Sequence, residues 1–320
     1  MRSLNVGVVG VGHMGEYHVR TYTELQNVNL SCVVDINWER AKDIASRYST
    51  DPYVDYQEIY DKVECVSIAV PTSIHYEVAR KFLERGIHVL LEKPMTKDII
   101  QAEELVNLAK KKGVILQIGH VERFNGAVQE LKNIVKNPIY IECRRLGPYD
   151  EKRTIDTGVI LDLLIHDVDI VLDLVNSKVS CINVVGRSVV TPYEDIVNTQ
   201  IIFENGCIAT LTASRVTENK IRTLTVTQPD AYIYLDYADQ DLHIHRQTYS
   251  GYIPARDALR YKMESFIERL FIHKGNPLRL ELEHFVDCVL NGGHPLTTGK
   301  EDLRSLEVTL EILERLNSTK

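Results

Sequence analysis

Apolar positions fall into two regimes along this chain. Up to about residue 120 they come as short, nearly continuous runs: Asn5–Val9, Leu30–Val34, Cys65–Val70, His88–Glu92 and Val114–Ile118. Strands covered on both faces read this way. The stretches between them, Glu16–Leu25, Glu39–Tyr48, Ile74–Arg85 and Ile99–Lys112, carry the spacing of amphipathic helices. Strand and helix in strict alternation predict a doubly wound parallel sheet.

Beyond residue 120 the pattern changes. Asn125–Val135 and Gly158–Val175 predict helices. Ser180–Val190, Asn198–Glu204, Cys207–Arg215, Arg222–Thr227, Ala231–Leu235 and Leu242–Gln247 alternate as strands with one buried face. Glu204-Asn205-Gly206 is a hairpin turn. Two helical stretches, Leu280–Leu290 and Glu301–Leu316, close the chain. The prediction is an α/β protein in two domains. Residues 1–120 form a nucleotide-binding unit, and residues 121–320 an α+β unit with a large, mostly antiparallel sheet. The alternating strands leave Tyr232 and Tyr234 on an outer sheet face, so the expected assembly is a homodimer or homotetramer.

Composition narrows the function. The 320 residues, 44% hydrophobic and 26% charged, suit two globular domains. A net charge of -8 argues against nucleic acid or an anionic membrane as partner. No apolar run approaches the roughly 20 residues of a membrane span. The chain begins directly in strand sequence, without the regions of a signal peptide. Six scattered cysteines without a CxxC pair read as buried thiols, and the expected location is the cytoplasm.

Chemistry enters at Val6–Gly15, V-G-V-V-G-V-G-H-M-G. Here a strand runs into Gly10-x-Gly12-x-x-Gly15 and a helix. Gly10 permits the turn, Gly12 lets backbone approach a pyrophosphate, and Gly15 lets helix pack on strand. Asp35, at the end of the next strand, would accept hydrogen bonds from ribose hydroxyls. It would also oppose a 2′-phosphate, and no arginine follows at Ile36 or Asn37. An ordinary glycine turn is the competing reading. The order of strand, loop, helix, strand and acid favours a dinucleotide, with NAD rather than NADP as cofactor.

Two further segments suit hydride chemistry. Glu92-Lys93-Pro94 sets a lysine just past the carboxyl end of a strand, where open α/β sheets bind ligands. A solvated loop lysine is the alternative. In the mostly apolar helix 158–175, Asp162, His166, Asp169 and Asp173 recur at helical spacing. Such a stripe faces either polar partners or a ligand cleft, because buried charge must be compensated. Oxidising a secondary alcohol needs a base for the hydroxyl proton, a role for His166. It also needs a cation for the developing alkoxide, a role for Lys93. Asp162 would orient the imidazole or hold a substrate hydroxyl. His243-x-His245 supplies no third ligand, and no metal is expected. Arg215 reads as solvated loop charge, together with Lys220 and Arg222.

The glycine loop, Glu92-Lys93-Pro94 and Asp162-x-x-x-His166 together resemble the Gfo/Idh/MocA oxidoreductases, over nearly the whole chain. Val70-Pro-Thr-Ser-Ile-His75 is similar to that family's segment beneath the nicotinamide nucleotide. Gly119-His-Val-Glu-Arg-Phe-Asn125 is similar to its domain-junction segment. The resemblance implies a catalytic set of Lys93, Asp162 and His166. It implies cofactor contacts from Gly10, Gly12, His13, Met14, Gly15, Asp35, Pro71, Thr72, His75, Glu92, Lys93 and Arg123. Substrate contacts would come from Lys93, Arg123, Arg153, Asp162 and His166.

Within the family, the Gly119–Asn125 segment, Arg145-Leu-Gly-Pro148 and Gly158–Asp167 are similar to UDP-N-acetylglucosamine 3-dehydrogenases. Arg123, Arg144, Arg145 and Arg153 would then hold a diphosphate; the alternative is that they pair with acids such as Asp150, Glu151 and Asp156. Two other functions stay open: a dehydrogenase of a free sugar or inositol, and a non-catalytic NAD(P)-binding regulator. Lys93 together with His166 discriminates against the regulator, which needs neither.

Overall fold

The computed structural model describes residues 2–151, 155–255 and 258–318. The first sheet comprises β1 (Leu4–Val9), β2 (Val28–Val34), β3 (Asp51–Tyr53), β4 (Cys65–Ile68), β5 (His88–Glu92) and β6 (Leu116–Gly119). Its strand order is β3-β2-β1-β4-β5-β6, with every pairing parallel. Parallel neighbours require crossovers, which α1 (His13–Thr23), α2 (Trp38–Tyr48), α3 (His75–Glu84) and α4 (Ile99–Lys112) provide. The chain reverses its direction of travel across the sheet between β1 and β4, so the ligand crevice of an open α/β sheet falls at their carboxyl ends.

Helix boundaries follow local chemistry. Asn37 caps α2 by accepting from the Arg40 amide at 3.1 Å, and Asp98 caps α4 through the Gln101 amide at 3.0 Å. The α4 helix ends at Gly113, whose φ of 68° is a left-handed stop that glycine adopts without strain.

The second sheet contains β7 (Tyr140–Leu146), β8 (Val179–Arg187), β9 (Ile196–Phe203), β10 (Ile208–Ser214), β11 (Ile221–Gln228), β12 (Ala231–Asp236), β13 (Asp241–Ala255) and β14 (Ala258–Arg269). The order is β14-β13-β12-β11-β7-β10-β9-β8. All pairings are antiparallel except β7 with β10. Burial alternates along β9, β10 and β12, which marks one covered face. Helix α5 (Gly126–Ile134) precedes this sheet in the chain, and α6 (Ile165–Val175) packs on β7 and β10. Helices α7 (Pro277–Asn291) and α8 (Gly299–Ser318) end the described chain.

Where the patterns predict one boundary at residues 120–121, the chain crosses between its two compact units several times. The first unit takes Met1–Phe124, Thr154–Thr157 and Asn276–Glu311. The second takes Asn125–Arg153, Gly158–Gly275 and Ile312–Lys320. Helix α7 belongs to the first unit: its Leu282, Phe285 and Val286 are buried in one cluster with Val6, Val8, Val19 and Leu90. The segment after α7 runs along β6. There the Ile118 amide donates to the Thr297 carbonyl at 3.0 Å, and the Thr297 hydroxyl donates to the Ile118 carbonyl at 2.7 Å. His120 and Asp302, both buried, meet at 2.5 Å in the same unit.

Candidate active site

The glycine turn of the first unit has the form that a dinucleotide requires. Gly10 sits at φ 85°, and a Cβ there would come 2.6 Å from the Ala69 carbonyl. A Cβ at Gly15 would run into the Gly10 carbonyl, which explains how α1 can start directly against the turn. At Gly12 the opposite holds: the volume a Cβ would occupy is open, so a ligand can lie against bare backbone. No side chain caps α1, leaving its positive end directed at that space. These residues fit a pyrophosphate. Next to the turn, His13 is exposed with Tyr17 edge-on at 4.8 Å, and Met14 is half-buried.

Asp35, at the end of β2, is buried and fixed. One carboxylate oxygen accepts from the Val11 amide at 3.1 Å and the other from the Asn37 amide at 2.9 Å. It is thereby tied to the glycine turn itself. No arginine stands at residues 36 or 37, but Arg40 reaches Asp35 from the first turn of α2, at 3.5 Å. A helix brings residue i+3 of its capping segment back over the cap, a relation that inspection of adjacent positions misses.

Around β4 and β5 the expected cofactor residues divide into exposed and internal groups. Pro71 is exposed. Thr72 is buried, and its amide donates to Asp156 at 3.0 Å. His75 is buried, with Nδ1 2.8 Å from the Pro94 carbonyl and Nε2 2.9 Å from the Val70 carbonyl. Burial pushes its pKa below the ordinary value, against the pull of the two carbonyls. Its ring joins the loop after β4 to the turn after β5. Glu92 turns inward, 3.0 Å from His18 Nε2. Burial raises the Glu92 pKa, but the His18 contact and charge outweigh it and the net shift is downward. Lys93, the first residue past β5, is half-buried. Gly119 of β6 leaves the room that the Glu92 carboxylate fills, since a Cβ there would come within 3.0 Å of it. Arg123 is half-buried in the short 3₁₀ turn Val121–Phe124.

In the second unit the predicted helix from Gly158 to Val175 is not uniform. Ile160–Leu164 form a π-turn, and regular α-helix begins at Ile165. Asp162 lies in the π-turn, 9% exposed, and His166 follows half-buried in α6. Single π-turns inside helices cluster at functional positions. The acidic stripe separates by partner. Asp173 pairs with Lys132 of α5 at 2.9 Å, while Asp162 lies 3.8 Å from Arg215. Beside the stripe, Asp167 receives two bonds from Arg145, at 2.9 and 3.0 Å. The stripe thus has protein partners at both Asp173 and Asp162.

Two arginines reverse their expected roles. Arg145 is 2% exposed, bidentate to Asp167 and stacked on Tyr237 at 4.9 Å, so it is withdrawn from any diphosphate. Arg215, read as solvated, is 6% exposed beside Asp162. Arg144 is exposed on β7. Arg153 lies outside the described residues. His243 and His245 face the cross-strand Tyr234 and Tyr232 as ring contacts.

The first unit is thus a Rossmann dinucleotide-binding domain, and residues 4–120 match the family model described as an oxidoreductase family, NAD-binding Rossmann fold. Residues 126–233 match the Gfo/Idh/MocA C-terminal domain. The chain belongs to the Gfo/Idh/MocA family and is an oxidoreductase with an NAD-binding domain. It is 33% identical to UDP-N-acetylglucosamine 3-dehydrogenase of Acidithiobacillus ferrooxidans, over 86% of this chain and 91% of that one. It is 27% identical to scyllo-inositol 2-dehydrogenase (NAD(+)) of Bacillus subtilis, over 94% and 90%. A solved structure of the Acidithiobacillus enzyme GnnA superposes with a TM-score of 0.88 at 30% identity, covering 99% of each chain. These relatives are dehydrogenases of a nucleotide sugar and of a polyol.

Proposed function

We propose that this enzyme oxidises the 3-hydroxyl of UDP-N-acetylglucosamine, or of a closely related nucleotide sugar, to a ketone. The observation that carries the reading is the end-to-end similarity to a UDP-N-acetylglucosamine 3-dehydrogenase, 91% of which is covered, with Lys93, Asp162 and His166 all present. The glycine turn, the start of α1 and Asp35 hold the adenosine and diphosphate portion of NAD. When bound, NAD would supply the acceptor for the hydride lost from the carbon bearing the hydroxyl.

The protein supplies the proton chemistry. His166 takes the hydroxyl proton, Lys93 holds the oxygen as charge develops on it, and Asp162 orients the imidazole. Glu92 and His75 serve from within, fixing the strand end and turn that carry Lys93. With Arg145 committed to Asp167 and Arg144 on the opposite face of β7, the diphosphate falls to Arg123 and Arg153. The similarity to scyllo-inositol 2-dehydrogenase supplies the competing substrate class.

Enzyme and NAD are incubated separately with UDP-N-acetylglucosamine, free N-acetylglucosamine and myo-inositol, following NADH and the product mass. A parallel arm adds 2-oxoglutarate to reoxidise cofactor that stays bound. Oxidation of the UDP-sugar is expected. Turnover of inositol or the free sugar alone rejects the nucleotide-sugar assignment. Lys93→Ala and His166→Ala are each expected to lower turnover about 10²–10⁴-fold while calorimetric NAD affinity stays near that of the wild type. Near-normal turnover in both would remove their catalytic roles.

A further inference from the structure

Arg215 stands immediately after β10, 6% exposed, between two carboxylates. Its Nη2 is 3.8 Å from Asp162 Oδ2 and its Nε 3.9 Å from Asp195 Oδ1. The two acids are not equivalent. One Asp195 oxygen accepts from the amides of Val189, Val190 and Thr191 at 2.7–2.9 Å, and the other from the Thr191 hydroxyl at 2.6 Å. Burial raises the Asp195 pKa, but these bonds outweigh it and hold the group ionised. The Arg215 amide also donates to the Asp195 carbonyl at 2.9 Å, fixing the base of the side chain.

The neighbouring Glu194 works on the same helix start. Its carbonyl accepts from the Val159 amide at 3.0 Å and its carboxylate from the Ile160 amide at 3.1 Å. The segment entering β9 therefore anchors both the first turn that leads to Asp162 and the cation beside it.

We propose that Arg215 is a positioning residue, which holds the Asp162 carboxylate ionised and fixed in the π-turn and thereby acts on His166. The inference rests on the assignment of Asp162 and His166 to proton transfer. A guanidinium remains charged in any protein setting, and a buried one needs compensating acids. Asp195 is already saturated by its amides. If the cation is removed, the two acids face each other in a low-dielectric setting; Asp195 keeps its amide and hydroxyl donors, so the proton goes to Asp162. The other groups near the turn do not replace Arg215. Strand β10 carries no titratable side chain, Arg145 of β7 is held by Asp167, and Cys143 of β7 is a buried thiol whose pKa burial pushes far up. Glu194 adds negative charge, and His166 is the group being served.

The test is a double-mutant cycle of Arg215→Met and Asp162→Asn in the full-length protein, with Arg215→Lys alongside. It is read by kcat with NAD and UDP-N-acetylglucosamine, by calorimetric NAD affinity and by urea unfolding without substrate. Arg215→Met is expected to lower kcat about 10–100-fold, the loss typical when an outer partner of a reacting ligand is removed. NAD affinity stays level, and the acid limb of the kcat profile moves to higher pH. Arg215→Lys restores the position of that limb and much of the rate. In the Asp162→Asn background, removing Arg215 costs little further rate, and unfolding midpoints show favourable coupling between the two side chains. An equal loss in both backgrounds, or no coupling in urea, overturns the proposal. If Arg215→Met does not fold, an unshifted acid limb and full kcat in Arg215→Ala/Asp162→Asn relative to Asp162→Asn still support it, and a further loss there rejects it. Full turnover in Asp162→Asn alone instead removes the underlying catalytic assignment.

Discussion

At the scale of single residues, the deciding feature is which side chains are already committed. Asp35 and Arg40 form a pair, so the cation is neutralised where a 2′-phosphate would otherwise find it. Asp35→Ala is expected to release Arg40 and raise NADP affinity while lowering NAD affinity. Asp35→Ala/Arg40→Ala should lose the gain. Calorimetry with both cofactors checks this, and an NADP gain that survives loss of Arg40 would show that another group binds the phosphate.

Glu281 of α7 gives a second prediction. It is 0% exposed, and burial together with the Glu92 charge raises its pKa well above the ordinary value. Above the unfolded-state pKa, the protein must take up a proton at Glu281 to fold. That cost grows by about 1.4 kcal/mol per pH unit until the folded pKa is reached. Stability from this group is complete in acid and lost as pH rises. Glu281→Gln needs no such proton, so its thermal midpoint minus that of the wild type should widen between about pH 5 and about pH 8. A difference that stays flat would show that Glu281 folds ionised.

At the scale of elements, hydrophobic period makes most of the first sheet and the helices legible. The exceptions have physical causes. Strand β3 is three residues long and contains Pro52, too short for a pattern. In β7 the inward set is Ile141, Cys143 and Arg145; an arginine at a core position hides the alternation until its partner Asp167 is seen. The 258–269 segment, ALRYKMESFIER, is rich in residues that also favour helices, yet it pairs as β14. The π-turn at Asp162 has no sequence signature at all. It depends on what lies behind it, since Gly158 leaves the space that the Glu194 carboxylate occupies. Gly158→Ala is expected to push that carboxylate off the Ile160 amide and cost about 1 kcal/mol, the typical value of a lost helix cap. Turnover should fall with NAD affinity unchanged. Unfolding in urea and calorimetry separate the two effects, and a variant with native stability would remove the cap from the argument.

At the scale of the whole molecule, sequence offers candidate site residues by type and position but does not show what each is bonded to. Glu92 and His75 read as cofactor contacts until their partners His18, Pro94 and Val70 showed them bonded within the first unit. Arg145 and Arg215 depart from their expected surroundings for the same reason: sequence gives a charge but not its counter-charge. The outer face of β12 presents Tyr232, 42% exposed, and self-association through this sheet is the expected assembly. Light scattering should give a dimer or tetramer at micromolar protein, and Tyr232→Lys should weaken it. A stable monomer would contradict the expectation.

The return of α7 to the first unit has a consequence for how the chain is made. Synthesis delivers β1 to β6 well before Leu282, Phe285 and Val286, which complete the cluster around Val6, Val8 and Leu90. Burying each is worth about 1.5–3 kcal/mol, so the nascent Rossmann half carries an open apolar seam throughout translation of the second unit. Its core is complete only once α7 has docked. A released fragment ending at Phe124 should bind folding helpers or aggregate, whereas the same fragment joined by a flexible tether to Asn276–Glu311 should stay in solution and retain affinity for NAD.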